Sequence, residues 1–202
     1  MNIELISALV LFGFVSSITP GPNNLMLMAS GTNYGFSRSV PHLLGVSGGF
    51  TLMIVLVGAG LIQVFEAWPM SYLVLKSVSV MYLVYLAWKI ANAAGPDEDA
   101  AATNRPSQPL TFIQAALFQW VNPKAWAMAL TAISVYTFAG DTLYGVGLVA
   151  AVFGAINLPS CSSWVVLGTQ LRRFLTNPQR LRMFNYSAAF LLLASLYPIL
   201  LG

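Results

Sequence analysis

The sequence predicts an all-α integral membrane fold: six transmembrane helices arranged as two inverted three-helix repeats, with helices 1 and 4 interrupted by proline-containing breaks. Three observations predict it. The 202 residues are 57% hydrophobic and only 7% charged, with a mean hydropathy of +0.75, whereas soluble domains carry about a quarter charged residues. The apolar residues fall into continuous runs at about 4–30, 41–64, 70–92, 110–138, 143–168 and 183–201, each near the ~20 residues that a bilayer needs. They do not alternate as barrel strands do. The basic residues, finally, segregate by loop. Loops after the first, third and fifth runs hold Arg38, then Lys89 and Arg105, then Arg172, Arg173, Arg180 and Arg182. The other loops and both ends hold Glu4, Glu66 and Asp141 instead. By the positive-inside rule the first set is cytoplasmic and both termini face outside.

In chain order, the first run has no charged residue or histidine from Leu5 to Ser37, yet its middle reads Thr19-Pro20-Gly21-Pro22-Asn23-Asn24. Two prolines remove backbone donors and clash with the preceding turn, so the helix is expected to break there. Broken backbone survives at membrane depth only where it is buried in protein or lines a cavity. The stretch 31–39 reads as a short polar turn. In the second run Gly45 and Gly49 have the G-x-x-x-G spacing, which suits close helix packing or a cavity wall. His42, beside Pro41, reads as an interfacial side chain, and Lys76 in the third run as one that snorkels outward. Residues 94–109 form a cytoplasmic linker, dividing one membrane domain (1–202) into a repeat at about 1–93 and another at about 110–202.

The fourth run contains Gln119-Trp120-Val121-Asn122-Pro123-Lys124, the counterpart of the first break. Its start-to-break distance is roughly 18 Å, against roughly 24 Å in the first run, so the two breaks can meet slightly to the cytoplasmic side. Paired interruptions at corresponding positions point to a transporter site. In the fifth run Asn157-Leu158-Pro159-Ser160 marks a kink, and Asn157 is expected to face the same cavity. Trp120 and Trp126 suit a belt or packing role as well as a substrate wall.

Two half-helices starting near mid-membrane present free N–H groups and positive dipole ends, which attract a carboxylate. The halves that end there offer carbonyls to an ammonium group. The pair therefore suits a zwitterion. Pro20, Gly21, Pro22, Asn23, Asn24, Gln119, Asn122, Pro123, Lys124 and Asn157 are the candidate binding residues. Lys124, a full charge deep in a run, could neutralise a carboxylate or fill a structural role. The amides either orient a ligand or join helices.

Other classes fit poorly. The net charge of +3 comes from loop residues and is no nucleic-acid signal. No nucleophile–base pair or intramembrane carboxylate pair suggests an enzyme. One histidine and one cysteine, Cys161, make neither a disulfide nor a metal cluster, so no cofactor or metal is expected. The acidic start lacks the basic region of a cleaved signal peptide. With no carboxylate inside the runs to receive a basic side chain, a small neutral amino acid is the expected partner, beside the lipid bilayer. A metal-ion exporter and a non-transporting scaffold are the alternatives.

These residues resemble the LysE/RhtB-type amino-acid exporter family along nearly the whole chain. The resemblance rests on Thr19-Pro20-Gly21-Pro22-Asn23, Gly35-Phe36 with Arg38-Ser39, Gly45 and Gly49, Tyr85-Leu86-Ala87-Trp88-Lys89, and Asn122-Pro123-Lys124. It implies six helices in the bacterial cytoplasmic membrane and export of small amino acids, of cysteine/O-acetylserine, threonine or homoserine type, driven by the proton gradient. It also implies a homodimer by analogy. Gly45-Val46-Ser47-Gly48-Gly49-Phe50 and Trp88-Lys89-Ile90-Ala91 are most similar to the cysteine/O-acetylserine branch. Many members carry an acidic residue where this chain has Phe50, which puts carried-over coupling and cation selectivity in doubt.

Overall fold

The structure, a computed structural model, describes residues 3–68, 70–93, 108–137 and 142–197. The expected linker at 94–107 with Arg105, the acidic Asp141, and residues 1–2 and 198–202 lie outside them. The described residues are helical, without strands. In order they form α1 (Ile3–Ile18), α2 (Pro22–Tyr34), α3 (Phe36–Leu56), a π turn (Val57–Leu61) and α4 (Ile62–Ala67). Then follow α5 (Met70–Ala91), α6 (Phe112–Phe118), a 3-10 turn (Gln119–Val121) and α7 (Pro123–Tyr136). The chain continues with α8 (Thr142–Leu171), a second 3-10 turn (Arg172–Phe174) and α9 (Pro178–Ala194).

Among the described residues, Phe36–Leu61, Leu73–Ala91 and Leu143–Phe174 are each long and apolar enough to cross a bilayer, and α1 with α2 makes a fourth such length. The axes of α1 and α2 differ by 53°. Pro22 occupies the first turn of α2, where its missing N–H is no loss and its fixed φ suits the helix. Pro123 starts α7 in the same way, behind an extended Asn122. Large apolar side chains such as Leu11, Phe14, Leu73, Met81, Ile113 and Phe190 remain more than half exposed, the surface of a protein whose solvent is lipid.

The long α8 is the hub. It packs on α1, α2 and α3, while α3 packs on α6, and α9 on α5. Its crossing with α2 brings backbones into contact: a Cβ on Gly31 would collide with the Val165 carbonyl, and one on Gly168 with that of Met28. Thr32 Oγ1 seals the crossing, donating to Gly168 O at 3.0 Å and lying at the same distance from Met28 O. Gly45 and Gly49 do the same for α3 against α6: added Cβ atoms would strike Phe112 and come within 2.6 Å of Ala116 Cα.

Several expectations need correction. The stretch 31–39 is not a turn, because α2 continues to Tyr34, α3 begins at Phe36, and only Gly35, at φ 78°, joins them. Its polar residues are helical because they find partners: Asn33 and Asn185 exchange hydrogen bonds of 2.8 and 3.1 Å, and Ser30 meets Ser39 at 2.8 Å. His42 is not interfacial but 2% exposed. The fifth run, expected at about 143–168, is a described helix of 30 residues, α8, with Pro159 inside it. The last helix starts at Pro178, capped by Asn177, earlier than the hydropathy run suggests.

Candidate functional site

Helix α1 ends with carbonyls that no further turn can satisfy. Side chains from distant elements take them. Asn24 Nδ2 donates to Ser17 O and Thr19 O, both at 2.8 Å. Trp164 Nε1 donates to Ile18 O at 3.0 Å. Lys124 Nζ, from the other break, donates to Thr19 O at 2.6 Å, to Thr19 Oγ1 at 2.9 Å and more weakly to Pro20 O at 3.4 Å. The ammonium place expected at the end of α1 is therefore filled by the protein's own lysine.

That position of Lys124 depends on Gly21. The glycine is extended (φ −174°, ψ 176°), so its backbone alone would accept any residue. A Cβ there, however, would lie 2.7 Å from Lys124 Cδ and 3.2 Å from Nζ. The absent side chain makes room for the lysine to lie over the break.

A second link joins the breaks. Asn23 Nδ2 donates to Gln119 Oε1 at 2.8 Å, and Gln119 Nε2 returns a bond to Asn23 Oδ1 at 3.1 Å. Gln119 also donates to Ala115 O at 2.9 Å and is fully buried. Asn122 caps α7, accepting from Lys124 N at 3.1 Å. By contrast no side chain caps α2, so its first N–H groups and positive dipole end remain for an anion.

Side chains of both breaks border one small cavity. Of the sequence-predicted residues, Gly21, Asn23, Asn24, Asn122, Lys124 and Asn157 border it. Pro20, Pro22, Gln119 and Pro123 do not line it; they shape the breaks or hold a lining residue. Gly45 and Gly49 lie instead at the α3–α6 contact. Trp126 donates to Trp120 O at 2.9 Å, so the two indoles pack on each other rather than on the cavity.

Sequence reasoning missed three groups. Ser17 borders the cavity with a buried hydroxyl that has no hydrogen-bond partner among the described residues. Cys161 lies with its Sγ 2.7 Å from Asn157 Oδ1 and 3.9 Å from Asn24 Oδ1. Phe50, edge-on to Phe153 at 5.6 Å, supplies an apolar wall. Only the last carried a signal, the departure from the family's acidic residue. Among the described residues no three of His, Cys, Asp or Glu come together as a metal-ligating group.

The pattern of LysE type translocators matches residues 14–195, which takes in both breaks and the cavity. Among curated proteins, the chain is similar to a cysteine/O-acetylserine efflux protein of Salmonella choleraesuis, at 32% identity over 76% of this chain and 78% of that one. A protein of the same name from Klebsiella pneumoniae is 32% identical over 86% of each chain. One from Escherichia coli O139:H28 is 29% identical over 96% of each. No solved structure matches the chain. The match spans most of the chain, and the chain belongs to the LysE type translocator family.

Proposed function

We propose that this protein is a secondary transporter that exports small neutral amino acids, of the cysteine/O-acetylserine, threonine or homoserine type, from the cytoplasm by alternating access. One observation carries the reading: Lys124 of one break lies across the other, beside the uncapped start of α2 and on the wall of a polar cavity. A substrate carboxylate would take the N-terminus of α2 and draw the Lys124 ammonium away from Thr19. The carbonyls of Thr19 and Pro20, released by the lysine, would then receive the substrate ammonium. Among the described residues no carboxylate lines the cavity, so a basic side chain would meet no counter-charge from them. Exchange of the Lys124 contacts gives a simple switch between two arrangements of the halves.

Six spans in two inverted repeats of a single domain, both termini outside, and coupling to the proton gradient belong to the same proposal. The similarity to efflux proteins named for cysteine and O-acetylserine supports that substrate class. The test is efflux from proteoliposomes loaded with labelled cysteine, O-acetylserine, threonine, homoserine or lysine, with and without a pH gradient. Neutral substrates are expected to leave faster than lysine. Absence of flux for every amino acid, with the protein folded, would overturn export. Lysine efflux above that of neutral substrates would overturn the selectivity.

A further inference from the structure

A second cavity lies toward the other end of α2. Its walls are mostly apolar, including Met26, Leu86 and Ile90, and its polar groups come from α2, α3 and α5. Most of those polar groups are already engaged. Ser30 bonds Ser39 at 2.8 Å. Asn33 pairs with Asn185 and also donates to Ala29 O at 2.8 Å. Two are different. Lys89 Nζ donates to the neutral oxygens of Pro109 and Gln114, both at 3.3 Å, and among the described residues no carboxylate lines this cavity beside it. His42 is 2% exposed, and neither Nδ1 nor Nε2 has a hydrogen-bond partner among the described residues.

A buried imidazole without partners forfeits its desolvation cost unless something enters to bond it. Neutral imidazole offers one N–H and one bare nitrogen. Beside an ammonium group, that set matches a zwitterion: carboxylate to Lys89 and the imidazole N–H, α-ammonium to the bare nitrogen. The apolar walls suit a short, uncharged side chain. We propose that this cavity is a second binding site for a small neutral amino acid, held by His42 and Lys89 and separate from the cavity at the two breaks. The inference rests on the export reading for its ligand. In the proposed topology Lys89 and Arg38 mark this end of α2 as cytoplasmic, so the site would load substrate before it reaches the breaks.

The chain contains one histidine, which makes the test direct. Full-length protein purified without a histidine tag, labelled with 15N-histidine and placed in phosphatidylcholine vesicles, yields one imidazole spectrum. Saturating O-acetylserine is expected to shift it, in wild type and in Lys124→Gln, and not in Lys89→Gln; Lys89→Arg should restore the shift. No shift in wild type overturns the site, and a shift that Lys124→Gln removes assigns the effect to the other cavity and overturns it too. A shift produced by adding phosphatidylglycerol, and lost to competition by no amino acid, would make the occupant a lipid headgroup and overturn the amino-acid assignment. In sided proteoliposomes, Lys89→Gln should raise the half-saturating concentration about tenfold from the cytoplasmic face only; an equal change from both faces argues against a loading site. A ligand-induced shift in a protein that transports nothing would leave this site standing while the export reading fell.

Discussion

At Lys124 a single side chain joins residues more than a hundred positions apart in the chain. Its two short contacts, to Thr19 O and Oγ1, are charge-assisted and stronger than neutral hydrogen bonds. Lys124→Met keeps most of the stem and removes the charge; efflux is expected to fall about 10- to 100-fold, read as initial rates in proteoliposomes. Gly21→Ala tests the same contact from the other side. Its methyl would press on Lys124 Cδ, so flux should drop although the glycine's backbone angles suit alanine. Unchanged flux in Gly21→Ala would show that the lysine works equally well elsewhere. Gln119→Ala strips the half-buried Asn23 of its partner and should cost about 0.5–1.5 kcal/mol of stability. Thermal unfolding of Gln119→Ala, Asn23→Ala and the double variant would reveal the coupling as a non-additive loss.

Helices meet here through glycine. Because backbones touch at Gly31 and Gly168, any side chain there must push α2 and α8 apart, taking the uncapped end of α2 with it. Gly168→Val is expected to lower the folded yield sharply in detergent size-exclusion profiles, by more than the 1–3 kcal/mol of ordinary overpacking. Gly147, on the same helix, has nothing within 4 Å of an added Cβ. Gly147→Ala should therefore raise stability by up to about 1 kcal/mol through helix propensity. Opposite signs for two glycines of one helix separate close packing from propensity. These crossings were only half legible beforehand. The spacing of Gly45 and Gly49 signalled a contact, but Gly31 lies in a tract rich in serine, threonine and asparagine that reads as a turn. It is helical because Thr32, Asn33 and Ser30 bury their polar groups on α8, α9 and α3.

For the molecule as a whole, the distribution of charge predicts sidedness. A cysteine placed at Ser37, next to Arg38, should stay unlabelled by an impermeant maleimide in intact cells, and one at Trp68 should react, both in a Cys161→Ser background. The reverse pattern would invert the proposed topology and, with it, the direction in which the two cavities follow one another. Sequence by itself determined the membrane character and the family, because hydropathy and short motifs act within a few residues. Tertiary structure alone decided that Lys124 occupies the carbonyls at the first break, that Asn23 answers Gln119, and that His42 is enclosed beside Lys89. Those outcomes depend on which faces of α2, α3 and α8 come into contact, and close packing selects such partners only once the distant segments are in place.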